Sequence, residues 1–219
     1  MYKIILKKEI PAVSMIVFTI IAGVVVYPDL TTQIPIHWNI SGLADKFAQK
    51  NIFTALLLPL TALFTYTLML YIPYLDPKKE KYALFAKAYY MIRLATISFL
   101  CMISCVVYSI ELGFNVSIIK VVMVLLSILF IILGNLMGKI RQNWFVGFRI
   151  PWTMESEEVW NKTNRMAGRF FVASGIIGIV GAFLPQNFTL ILTLGPILVS
   201  VVFSSIYGYI LFNKKREPK

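Results

Sequence analysis

Six apolar runs punctuate this chain, at 10–27, 52–72, 92–110, 117–138, 169–185 and 189–211. A helix crosses a hydrocarbon core of about 30 Å with about 20 mostly apolar residues. The runs are long enough, and polar stretches separate them. The fifth run is the short one, and Gly175, Gly178 and Gly181 lower its helix propensity. If 169–185 does not cross, five spans remain. The same glycine spacing suits close packing of helices in lipid. Pro59 and Pro196 fall inside the second and sixth runs, where kinks are expected. The pattern predicts an all-α, polytopic integral membrane protein forming one compact domain over 1–219.

Composition strengthens this reading. The chain is 58% hydrophobic, with a mean hydropathy of +0.77. Soluble domains are roughly 45–50% apolar. The first run lacks an A-x-A-like cleavage site and continues into "VVVYPDL", so it reads as a span and not as a removed signal.

Charge sets the orientation. Eighteen of the 21 Lys and Arg residues fall in four segments: the N-terminus, the second loop with Arg93 at its edge, the fourth loop, and the tail. Only Lys46, Lys50 and Lys120 lie elsewhere. Basic residues mark cytoplasmic loops. Both termini are therefore expected inside, with 28–51, 111–116 and 186–188 outside. The net charge of +11 follows from topology, not from nucleic-acid binding, because its basic residues all border spans.

The fourth loop, 139–168, has its own grammar. Proline pushes Ile150 toward extended geometry. Thr153 or Ser156 can cap a helix whose first turn holds Glu155, Glu157 and Glu158, and Lys162, Arg165 and Arg169 follow. Acids first and bases last complement the helix dipole. A short amphipathic helix lying on the inner leaflet between spans four and five is expected. Trp144, Trp152 and Trp160 would then sit at headgroup depth, where indoles concentrate.

An ordinary linker needs neither the spacing Asn143-x-x-x-Gly147-x-Arg149-x-Pro151-Trp152-Thr153 nor Asn135 inside span four. The stretches "GN" at 134–135, "NWFVGFRIPWT" at 143–153 and "VWNKTNRMAGRF" at 159–170 resemble the signature of the SdpI-type immunity proteins. The first outer loop, "IPIHWNISGLADKFAQK" at 34–50, is similar to that family's N-terminal module, a domain of unknown function. Pro35, His37, Trp38, Asn39, Gly42, Asp45, Phe47 and Lys50 carry that likeness. The N-terminal module spans 10–72 and the signature region 117–185.

The resemblance implies a multi-pass protein of the bacterial plasma membrane. It would protect against a secreted antimicrobial peptide toxin met on the outer face. It also implies a signalling role, in which a small cytoplasmic repressor is captured on the inner face. Membrane lipids are the remaining partners; no direct contact with nucleic acid and no cofactor are implied. The outer-loop candidates, facing the toxin or bracing the loop, are Pro35, His37, Trp38, Asn39, Gly42 and Asp45. The inner-face platform would comprise Asn135, Asn143, Gly147, Arg149, Pro151, Trp152, Thr153, Trp160 and Arg165, with Arg149 central. Its five donors form a rigid fork that keeps its charge.

Other chemistry is sparse. His37 is the only histidine, and one His with scattered acids makes a poor zinc site. Bracing of the loop around Gly42 through backbone groups stands ahead of a metal, a proton-linked switch or a toxin contact. Cys101 and Cys105 read as small apolar packers. Arg93, Lys120 and Arg169 read as side chains snorkelling from span ends. No catalytic motif is present, so the chain is not expected to be an enzyme. The alternative function is a lipid or small-molecule translocator with an inner cavity near Asn135 and Arg149.

Overall fold

The computed structural model describes residues 4–216. Its helices are α1 (Leu6–Val26), α2 (Ile52–Ala55), α3 (Leu57–Leu75), α4 (Ala86–Glu111), α5 (Ile118–Met137), α6 (Pro151–Glu155), α7 (Glu157–Gly181) and α8 (Gln186–Arg216). Two strands, β1 (Gln33–Trp38) and β2 (Ala44–Gln49), lie between α1 and α2. Lys3 and Lys219 of the basic series lie outside the described residues.

Among the described residues, α1, α3, α4, α5 and α8 are long and apolar enough to cross a membrane. Each buries no more than 33% of its most apolar window. Phe18, Phe64 and Leu198 are 64%, 64% and 66% exposed, a surface that suits lipid and not water. The protein is a multi-pass membrane protein. The run at 169–185 forms the apolar half of α7, whose first half is polar, and α7 is not among those five helices.

Three expectations about elements are corrected. The short inner-face helix is not a separate unit. Its sequence opens α7 and runs unbroken into the apolar residues, because no proline or loop-forming segment interrupts 157–181. Only α6, five residues long, stands apart, and extended Ser156 (φ −132°, ψ 120°) separates it from α7. The fold is not purely α-helical, since the 34–50 loop forms an antiparallel β-hairpin. Pro59 interrupts its run near the start, where Leu56 separates α2 from α3, and not in the middle. It falls in the first turn of α3, where the N–H it lacks has no helical partner to lose.

Two packed groups position the sites. Around α1, α3 and α4, the residues Ala12, Ile16, Ala62, Tyr66, Ile97 and Cys101 form one core. The second group is α5, α7 and α8. Here α5 and α7 meet backbone to backbone, since a Cβ at Gly168 would lie 2.5 Å from the Gly134 carbonyl oxygen. The two cysteines are free thiols within α4, as the packing role requires.

Arg93 does not snorkel. It is 1% exposed, and its Nη2 donates to Oε1 of Glu9 at 2.5 Å. The Tyr66 hydroxyl donates to Oε2 of the same carboxylate at 3.2 Å, and Tyr89 lies with its ring 5.6 Å from the guanidinium. Desolvating a charge between helices is costly unless an opposite charge meets it. Glu9, 84 residues away in sequence, supplies that charge and ties α1 to α4.

Candidate functional site

The N-terminal module is built on the hairpin. β1 and β2 pair from Gln33↔Gln49 to Trp38↔Ala44, with irregular register on both sides of His37. Pro35 has no N–H to give the ladder, which favours such a break. The turn closes through Asn39 N–H to Leu43 O (2.9 Å) and Gly42 N–H to Asn39 O (2.9 Å). Oδ1 of Asn39 accepts from Leu43 N–H at 3.1 Å. Gly42 has φ 75°, a conformation that suits a residue without Cβ.

His37 and Asp45 meet across the hairpin, with Nδ1 2.5 Å from Oδ1, and both side chains are exposed. The imidazole therefore braces the hairpin through a carboxylate, not through the backbone groups expected from sequence. Lys50 ties the hairpin base by donating to the carbonyls of Pro28 and Leu30, each at 2.8 Å. On α4, Glu111 accepts from Thr31 Oγ1 at 2.7 Å. Beneath the hairpin lies a cavity of about 340 Å³ with an almost wholly apolar wall. Ile34, Pro35 and Trp38 roof it, and Leu58, Val107 and Val122 line the helices below.

The fourth-loop platform centres on Asn143, which is fully buried. Its Oδ1 accepts from the N–H groups of Phe145 (2.9 Å) and Val146 (2.7 Å), and the Tyr82 hydroxyl oxygen lies 3.3 Å away. Its Nδ2 donates to the carbonyls of Arg141 and Val146, each at 2.8 Å. One amide thus holds the loop after α5 in shape. Asp76, 1% exposed at the end of α3, accepts from the Tyr82 hydroxyl (3.0 Å) and Trp144 N–H (2.9 Å). This stitches the second loop to the fourth. Gln142 donates to the carbonyls of Thr153 and Met154, each at 2.8 Å.

Gly147 is required on two counts. Its φ is 113°, and a Cβ there would lie 2.9 Å from both Asn164 Oδ1 and the Trp160 ring. Asn164 uses that oxygen to accept Phe148 N–H at 2.8 Å. Thr153 is buried and accepts from Ile150 N–H at 3.0 Å, squaring the start of α6 after Pro151. Trp160 is not a headgroup residue. It is fully buried, and its Nε1–H donates to Ile140 O at 2.9 Å. The expectation failed because the ring points into the loop that Gly147 leaves open.

The fold brings together Asn143, Gly147, Thr153 and Trp160, but not every expected member. Trp152 is half-buried, its ring 5.5 Å from that of Tyr209. Asn135 faces outward from α5. Arg165 is exposed beside Gly138. Arg149 is exposed and donates to the Trp144 carbonyl, at the rim of the network and not at its centre. Sequence reasoning missed Asp76, Tyr82, Gln142 and Asn164. The "DP" that ends α3 was the available signal, since an acid before proline favours a turn that its side chain can organise.

At the exposed start of α7, Lys162 Nζ donates to Glu158 Oε1 at 2.7 Å. That bond, the charge of Lys162 and then Lys215 hold the Glu158 carboxyl below the usual carboxylate range. The same bond raises the Lys162 ammonium.

Two known families match separate parts of the chain. Residues 139–208 match the SdpI/YfhL protein family, and residues 15–63 match a domain of unknown function, DUF1648. The immunity protein SdpI of Bacillus subtilis (strain 168) is 27% identical over 209 residues, covering 95% of this chain and 98% of that protein. No solved structure matches. The hairpin module and the Asn143 platform fall within the two matched regions, and the chain is similar to the SdpI-type immunity proteins over nearly its full length.

Proposed function

We propose that this protein is a membrane immunity protein that gives resistance to a secreted antimicrobial peptide and acts by binding, not by catalysis. The match of residues 139–208 to the SdpI/YfhL protein family and the near full-length likeness to an immunity protein support the role. The carrying observation is the braced hairpin above an apolar cavity of about 340 Å³. Such a cavity suits the apolar side chains of a membrane-active peptide, and the exposed His37–Asp45 face suits its polar ones.

In this reading six helices cross, α7 through its apolar half, and both termini lie in the cytoplasm. The hairpin then faces outward. The Asn143 platform faces inward, where exposed Arg149, Arg165 and Trp144 offer a surface to a cytoplasmic partner such as a small repressor. The translocator alternative loses its motivation, because Asn135 and Arg149 are both exposed and do not converge.

Survival of a toxin-sensitive host expressing the chain tests the proposal. Protection that Leu58→Trp or Val107→Trp removes at unchanged membrane level is the expected result. Full protection with the cavity filled would rule out the cavity as the binding element, and no protection by the wild-type chain would reject the immunity role.

A further inference from the structure

Away from the hairpin and the platform, two cavities adjoin on α4. The first, about 350 Å³, lies between the start of α1 and the start of α4. Lys8, Lys87 and Arg93 line it, against the single carboxylate of Glu9. The second is an apolar groove of about 310 Å³ between α4 and α5. Its walls run from Met91 through Ala95, Ser98 and Met102 on α4, and from Leu125 to Ile132 on α5. Met91 belongs to both cavities and is 38% exposed, so a cationic mouth leads into an apolar channel.

We infer that these cavities together form a site for one anionic phospholipid, its phosphate between Lys8 and Lys87 and an acyl chain along the α4–α5 groove. The two halves match the two halves of a lipid in chemistry. Three cationic side chains against one carboxylate leave a surplus of positive charge for an anionic headgroup. The fit in length is independent of charge. From Met91 to Met102 the helix rises roughly 16 Å at 1.5 Å per residue. That is about half of a hydrocarbon core some 30 Å thick, the depth of one leaflet. The small side chains of Ala95 and Ser98 keep the channel open between larger neighbours. Because Arg93 is already anchored by Glu9, the exposed Lys8 and Lys87 receive the phosphate, and the ion pair forms the rear wall.

Assignment to the inner leaflet rests on the topology proposed above; the site itself does not. The test uses the full chain in mild detergent, with lipid retention read by native mass spectrometry. Phosphatidylglycerol and phosphatidylcholine of identical acyl chains are compared. One phosphatidylglycerol should be retained at least tenfold more tightly than phosphatidylcholine. Lys87→Gln should weaken that retention about fivefold, and Lys8→Gln/Lys87→Gln roughly thirtyfold, since each basic residue near an anionic lipid contributes about the same. Ala95→Trp, which fills the groove but leaves the lysines, should also abolish retention. Circular dichroism and gel-filtration elution verify folding, and the single Lys87→Gln variant serves should the double variant fail to fold.

Equal retention of the two lipids would overturn the site, as would unchanged binding in the folded lysine variants. Glycerol 3-phosphate binding as tightly as the lipid would reduce it to a phosphate pocket and overturn the lipid assignment. A cysteine at Lys87, in a background lacking Cys101 and Cys105, reports the leaflet separately. Its labelling by an impermeant reagent in intact cells would reject the topology and move the lipid to the outer leaflet, with retention unaffected.

Discussion

Asn143 and Arg149 lie six residues apart and serve different purposes. Asn143 is buried and makes four hydrogen bonds with the loop backbone, two of them accepted from N–H groups. Orphaning buried donors costs about 1–3 kcal/mol each. Asn143→Ala should therefore destabilise the protein by about 2–4 kcal/mol, read by thermal unfolding in detergent. Arg149→Ala and Arg149→Lys should leave that transition within about 0.5 kcal/mol, as exposed sites usually do. Both should still reduce protection in the survival assay, because lysine keeps the charge but loses the fork. Unimpaired protection in both Arg149 variants would leave the arginine with a topological role alone. The exposed Glu158–Lys162 pair adds a pH dependence with a definite sign. Glu158 is depressed on folding, so its contribution is present above the ordinary carboxylate range and is lost as pH falls through the lowered folded value. Lys162 is raised, so its contribution is present below the ordinary lysine value and is lost as pH climbs through the raised one. Glu158→Gln should erase the acid limb of that difference in a stability–pH profile.

At the scale of elements, the apolar runs were legible because hydrophobic content alone defines them. Five reappear as α1, α3, α4, α5 and α8, and the sixth as the second half of α7. The start of that helix was legible, since Ser156, one of the two expected caps, accepts from Val159 N–H at 3.4 Å; its unbroken run into the apolar residues was not. Polar residues of good helix propensity before an apolar run look alike whether or not the helix continues. The hairpin escaped notice because Pro35 and the register breaks around His37 spoil the alternation that marks a strand. His37 and Asp45 were both singled out, yet their pairing needed the turn at Gly42 to be known. A double-mutant cycle on His37→Ala and Asp45→Ala should give a coupling below about 1 kcal/mol, as expected for an exposed pair. A larger value would mean that the pair anchors the whole hairpin. The α5–α7 contact should be far less tolerant. A Cβ at Gly168 collides with backbone, so Gly168→Val should separate the helices and cost several kcal/mol, about the scale of severe overpacking.

For the whole molecule, the interior of the membrane domain carries an ion pair that sequence reading placed at the surface. Glu9 and Arg93 each sit near the end of an apolar run, where a lone charge reads as a snorkelling one. Only the packing of α1 against α4 reveals that they face each other. Arg93→Leu leaves Glu9 buried without its cation and should cost about 3–5 kcal/mol. Glu9→Gln combined with Arg93→Met removes both charges and should recover most of that loss. If the double variant is no better than the single, the pair is not what makes the arginine necessary. Orientation is tested with single cysteines at exposed Ser41 and Lys79 in a background lacking Cys101 and Cys105. An impermeant thiol reagent should label Ser41→Cys, and not Lys79→Cys, in intact cells.

The bond from Trp144 N–H to Asp76 has a consequence for how the chain is made. Asp76 emerges from the ribosome long before Trp144, 68 residues downstream. Until then its carboxylate has no fourth-loop partner, and the second loop waits in water as an unfinished half of the platform. The platform is thus a late closure, completed only once α5 has threaded through the bilayer and returned the chain to the side where Asp76 waits. A nascent chain whose α5 inserted in the wrong direction would strand the two halves on opposite faces. The bond thus requires the second and fourth loops to end on the same face.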